Sequence, residues 1–137
     1  MSKRLATLAT ILATTGLLAA PPALADTSTI TIDASGPLTV ASAKVSGTYR
    51  CDRPVTPQTV FVSTSLGQNG ISRTIGHGTF ANCDGQPHSY TASGTFTEPP
   101  FVSGPVKATS LLMSLAATGL PLPNFLATAT RDLSWQQ

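Results

Sequence analysis

Two cysteines, Cys51 and Cys83, and two histidines, His77 and His88, are the residues of this 137-residue chain best suited to chemistry of their own. Together they make a nominal zinc set. Their spacing argues against it, because zinc ligands come in close pairs, and here position 51 is 32 from position 83 while position 77 is 11 from position 88. His77 stands between Gly76 and Gly78, which would expose its ring and let a ligand or a backbone approach. The competing reading is an ordinary histidine in a glycine-kinked strand. No G-x-S-x-G elbow occurs; Gly70-Ile71-Ser72-Arg73 comes nearest and does not match. Glu98 is the single glutamate, and no spacing pairs it with one of the five scattered aspartates for acid–base work. Arg50, Asp52 and Arg53 form the densest charge cluster, which also reads as a solvated loop. No catalytic residue, metal or cofactor follows from these patterns. His77, Arg50 and Arg53 remain as candidate binding residues.

The elements that must position them begin after a leader. Lys3 and Arg4 precede an apolar run from Leu5 to Ala20, then Pro21-Pro22 and Ala23-Leu24-Ala25 before Asp26. A cationic start, an apolar stretch and small residues two apart make a secretory signal peptide, with cleavage expected between Ala25 and Asp26. The run is short and threonine-rich for a membrane span, which wants about 20 apolar residues. Export from the cell follows, and with it an oxidising environment in which two cysteines read as one disulfide, Cys51–Cys83. Closing a loop of that length stabilises by roughly 3–4 kcal/mol in the chain-entropy model.

The remainder, residues 26–137, reads as one domain of strands and turns. Thr29 to Ala34 alternates, with Ile30 and Ile32 on one face. Leu38-Thr39-Val40 starts another extended piece after Ser35-Gly36-Pro37. Lys44 to Cys51 sets Val45, Gly47, Tyr49 and Cys51 against Lys44, Ser46, Thr48 and Arg50. Thr59 to Leu66 follows, with Val60, Val62 and Leu66 on one side and Phe61 on the other. Asn69-Gly70 is a hairpin signal. Ile71 to Cys83 is a strand interrupted at Gly76-His77-Gly78, which implies a bulge or a close backbone approach. His88 to Phe96, Val106 to Leu115 and Phe125 to Thr130 complete the set, although Ser110 to Thr118 fits a short helix as well as a strand. About seven short strands between Gly and Pro punctuation predict an all-β, antiparallel, immunoglobulin-like sandwich with one disulfide. No Trp lies between the cysteines, and the tyrosine precedes the first of them. The bridge is therefore expected to join a different pair of strands from that of a true immunoglobulin domain.

Composition narrows the function classes. Only 10% of residues are charged, and the full-chain balance of +2 comes from Lys3 and Arg4. Without the leader, six basic residues meet six acidic ones, which disfavours nucleic acid and anionic membrane surfaces. Ser and Thr number 30 of the 112 residues that follow the leader, and supply the polar faces that charges supply elsewhere.

Val45-Ser46-Gly47-Thr48-Tyr49-Arg50-Cys51, Val60-Phe61-Val62-Ser63, Gly76-His77-Gly78, Cys83-Asp84-Gly85 and Leu120-Pro121-Leu122-Pro123 resemble the landmarks of an uncharacterised family of small secreted actinomycete proteins, a domain of unknown function. The resemblance implies a secreted one-domain protein with the Cys51–Cys83 bridge, and brings no activity or site. In size, export and fold class the chain is also similar to actinomycete carrier apoproteins that hold enediyne chromophores, which carry a second disulfide that this chain lacks. The expectation is a secreted, extracellular, monomeric and non-enzymatic binding or interaction module, whose partner is a protein or a cell-wall component. The alternatives are a small-molecule carrier with a cavity between its sheets, in which Phe61, Phe80, Tyr90, Phe96, Phe101 and Phe125 are candidate lining, and a secreted hydrolase using His77.

Overall fold

The computed structural model describes residues 27–117, 119–120 and 122–137. The leader and its cleavage site at Ala25 and Asp26 lie outside the described residues. Seven strands form among those described: β1 (Thr29–Ile30), β2 (Ala43–Arg50), β3 (Gln58–Gln68), β4 (Ile71–Phe80), β5 (His88–Gly94), β6 (Gly104–Ala116) and β7 (Pro123–Trp135). They pair antiparallel in two sheets, β1-β2-β5 and β4-β3-β6-β7. Placing the first, second and fifth strands in one sheet and the third, sixth and seventh in the other gives the immunoglobulin-like order. No helix among the described residues is long and apolar enough to cross a membrane.

Period-two patterning sets each face. In β2 the buried residues are Ala43, Val45, Gly47 and Tyr49, and in β3 they are Val60, Val62, Thr64 and Leu66. The segment open to helix or strand at Ser110 to Thr118 is strand through Ala116, because its inward residues Ser110, Leu112 and Ser114 continue the alternation begun at Val106. The first extended piece is shorter than its pattern suggests. Only Thr29–Ile30 pairs regularly, after which Thr31 and Asp33 still donate to the carbonyls of Thr48 and Ser46. The chain then crosses to the other sheet, where Leu38 donates to Ser134 and accepts from Gln136 in a parallel bridge beside Trp135.

The interior holds two apolar clusters. One gathers Leu38, Val45, Leu66, Ile75, Phe101, Val106 and Trp135; the other gathers Ile30, Tyr49, Cys51, Val60, Val62 and Leu112, with Tyr90. Among the candidate aromatic lining, Tyr90 and Phe101 are buried core, while Phe80 and Phe125 point to solvent. Trp135 at the chain end is fully buried, with Phe96 and Phe101 edge-on to its ring.

Between the clusters runs a chain of hydroxyls. The Tyr90 hydroxyl lies 2.8 Å from the Thr31 carbonyl and 2.8 Å from Ser110 Oγ, which lies 2.9 Å from Thr64 Oγ1. A carbonyl can only accept, so the single Tyr90 proton goes to Thr31; Ser110 then donates to Tyr90 and Thr64 donates to Ser110. The relay joins β6 and β3 of one sheet to β5 of the other and to the segment after β1. It also explains Gly47: a Cβ there would stand 1.9 Å from the Thr31 carbonyl oxygen and 2.9 Å from the Tyr90 ring. Burial pushes the Tyr90 hydroxyl above its ordinary value of 10.0, Asp33 adds to the rise, and the Ser110 bond opposes both.

Tyr90→Phe is therefore expected to lower stability by about 1–3 kcal/mol in urea unfolding, since it strands the Thr31 carbonyl and the Ser110–Thr64 pair. A raised folded pKa makes the neutral phenol the stabilising form, so its contribution is whole below pH 10.0 and is lost as pH rises through the raised value. The gap between wild type and variant should narrow in alkali.

Candidate functional site

His77 sits on a bulge. Along β3 the register passes from Val62 opposite Thr79 to Thr64 opposite Ile75, so Ser63 faces the three residues Gly76, His77 and Gly78. Both glycines take positive φ, 71° and 78°, in the bulge that the sequence pattern implied. A Cβ on Gly76 would meet the Ser93 carbonyl of β5 at 3.4 Å. The bulge thus closes the corner between the two sheets and leaves the imidazole at its tip, exposed. Beside it is a groove of about 230 Å³ lined by Thr79, Thr91, Ala92 and Ser93 as well as the bulge itself. One imidazole and three hydroxyls can exchange hydrogen bonds with a ligand. The lining holds no carboxylate to orient or charge the ring.

Arg50 and Arg53 do not line this groove. They flank the disulfide at the end of β2, where Cys51 is bonded to Cys83 across 32 positions. Cys83 lies in the loop between β4 and β5, so the bridge ties a strand end to a loop and does not span the two sheets. Arg50 Nε donates to the Gly85 carbonyl at 2.6 Å, and the Gly85 amide donates to the Cys51 carbonyl at 2.9 Å. The guanidinium therefore holds the loop that carries Cys83. Arg53 is exposed beside it.

His88, which the sequence offers only as a member of the nominal zinc set, is the organiser of the same loop. Its Nε2 lies 2.8 Å from Asp84 Oδ1, and its ring is tilted on Tyr49 at 5.6 Å. The Tyr49 hydroxyl accepts from the Asn82 amide at 2.9 Å. The His88 contact, together with the Gln86 amide, holds the Asp84 carboxyl below its ordinary 3.8. This is a fastening of the disulfide loop, built from side chains four positions apart.

A third feature is a surface. Partners across a sheet share a face, so register identifies which outward side chains align. Phe80 pairs with Phe61, Phe61 with Met113, and Met113 with Phe125, one rung crossing all four strands of the larger sheet. Phe80 is 82% exposed and Phe125 59%. Leu120 and Leu122, in the β6–β7 connection just beyond the Leu115–Pro123 pair that follows that rung, are 82% and 73% exposed. The next outward rungs are hydroxyl-rich, with Ser63, Leu111 and Thr128, then Thr74, Ser65, Thr109 and Thr130. None of these rungs is visible in one-dimensional patterning, because their members come from strands far apart in the chain.

Compared with known proteins, residues 26–137 match the model of a family of unknown function, DUF6299. No curated protein matches the chain.

Two outcomes check the local geometry. Gly76→Ala should cost about 1–2 kcal/mol in chemical denaturation, because it forces a side chain into a positive-φ position against Ser93, while His77→Ala should stay within about 0.5 kcal/mol. In an NMR titration the Asp84 carboxyl should show its midpoint below 3.8 and return toward that value in His88→Ala. Since the folded pKa is depressed, the fastening is complete above the ordinary carboxyl value and is released as pH falls through the lowered one.

Proposed function

The chain belongs to the DUF6299 family, and from that premise we propose that it is an exported, non-enzymatic binding or interaction module whose working surface is the outer face of the four-stranded sheet. The observation that carries this reading is the apolar rung Phe80–Phe61–Met113–Phe125, which lies on the outside of a sheet whose rungs beyond it toward the start of β6 are mostly Ser and Thr, with Leu111 among them. Scattered exposed apolar residues are ordinary, whereas a contiguous exposed patch marks an interaction site. Export is supported by the leader-like N-terminus and by a disulfide, which persists in oxidising surroundings.

The alternatives draw less support. A carrier needs space between its sheets, and that interior is packed by Leu112, Phe101, Trp135 and Tyr90 around the hydroxyl relay. A hydrolase needs a group to charge or orient His77, and its neighbours in the groove are hydroxyls and glycines.

The reading is tested with the exported chain immobilised and challenged with culture medium, cell-envelope fractions and the free chain itself. Retention of at least one of these should fall at least tenfold in the Phe80→Ser, Phe125→Ser double variant and survive His77→Ala. Retention that follows His77 or Arg53 would place the working surface elsewhere. Retention of nothing, the chain included, would end the binding-module reading.

A further inference from the structure

An antiparallel sheet with one face in water is apolar inside and polar outside, and this sheet obeys the rule on most of its outer rungs. The departure is greatest toward the end nearest the β6–β7 connection, with Leu111 the outward apolar residue of the next rung. There the outward residues of four adjoining strands are Phe80, Phe61, Met113 and Phe125, in that spatial order. At the other end, Lys107 and Asp132 are register partners of opposite sign on adjacent strands.

The order of the rung has a property that its composition alone would not have. Phenylalanines stand at both outer strands, about 14 Å apart at sheet spacing, and a ring and a thioether occupy the middle. A two-fold axis parallel to the strands, lying between β3 and β6 just above the sheet, reverses the row. It sets Phe80 of one copy over Phe125 of the other and Phe61 over Met113. Aromatic then meets aromatic and ring meets sulfur, both favourable contacts. An axis along the row would instead place Met113 on Met113 and lose the ring–sulfur pairing.

Resting on the binding-face reading above, we infer that the partner this face takes is a second copy of the chain, packed sheet to sheet about that two-fold axis, in place of the monomer that the sequence suggests. Area and charge agree with it. From their exposed fractions, Phe80, Phe125, Leu120 and Leu122 present on the order of 600 Å² of apolar surface, close to the ~800 Å² that each partner gives to a standard interface. The hydroxyl rungs beside the row supply a polar rim. Residues 26–137 carry six basic and six acidic side chains, so two copies approach without net repulsion. A lipid surface would be recognised by an apolar tip together with a basic collar, and the charged pair on this face, Lys107 with Asp132, is neutral in sum.

Sedimentation equilibrium of the exported chain from about 1 to 500 μM tests the inference, since interfaces of this size reach micromolar affinity or better. The expected result is a mass rising from one chain to two. Phe80→Lys alone and Phe125→Glu alone should each remain monomeric, while an equimolar mixture of the two variants should dimerise. In the mixture the crossed pairing restores one Lys–Glu contact and one Phe–Phe contact. Lys44→Gln, on the exposed face of the other sheet, should leave the dimer unchanged. Matching thermal melts by circular dichroism show that the variants are folded. A mixture that stays monomeric, or a wild-type chain that is monomeric throughout, overturns the dimer. If such a monomer still binds neutral phosphatidylcholine vesicles or envelope fractions through Phe80 and Phe125, the binding face stands and only its partner is wrong. If it binds neither, both readings fail.

Discussion

The Tyr90 hydroxyl is the point on which the sandwich turns. It stands where two sheets and the segment after β1 meet, and it reaches all three through one donated and one accepted hydrogen bond. Buried hydroxyls are costly unless paired, so Ser110 and Thr64 cannot be inside without it, nor can the Thr31 carbonyl. The constraint propagates to β2, where Gly47 must lack a side chain for the carbonyl to come near. It also divides the apolar interior in two, with the Trp135 cluster on one side and the disulfide-end cluster on the other.

Each half is then closed by its own device. At the Trp135 end, the chain leaves β1, crosses at Gly36-Pro37 and bridges Leu38 to the last strand, which seals the indole inside. At the opposite end, the Cys51–Cys83 bridge, Arg50 on Gly85 and Asp84 on His88 fasten the loop between β4 and β5. Charged groups are few, and the outer face of the four-stranded sheet is left mainly to Ser, Thr and the apolar rung. That rung lies over the disulfide-end cluster, outside Val60, Val62 and Leu112.

Much of this was legible in the sequence, and the reason is local. The alternation at Lys44 to Cys51 and Thr59 to Leu66 reports burial residue by residue, and those faces are the ones observed. Asn69-Gly70 forms the two-residue turn that its positive φ values of 51° and 79° require. Gly76-His77-Gly78 is the bulge its glycines implied. What was not legible is what depends on register between distant strands. The Phe80–Phe61–Met113–Phe125 row exists only once β4, β3, β6 and β7 are aligned. The Tyr90 relay likewise joins residues up to 59 positions apart. The role of His88 was not legible because its partner is a carboxylate in a turn, a pairing that carries no motif. Arg50 looked like a binding group and is occupied instead by the loop it holds.

If the outer face of the four-stranded sheet is where this molecule makes contact, its side chains change environment as partners meet. A dilution series followed by residue-resolved NMR tests it most directly, since it reports where the surface changes environment without altering a side chain. Concentration-dependent shifts are expected at Phe80, Phe61, Met113 and Phe125, with Thr91, Ser93 and His77 unmoved. Shifts gathered at the His77 groove or around Arg50 and Arg53, with the apolar rung silent, would contradict it.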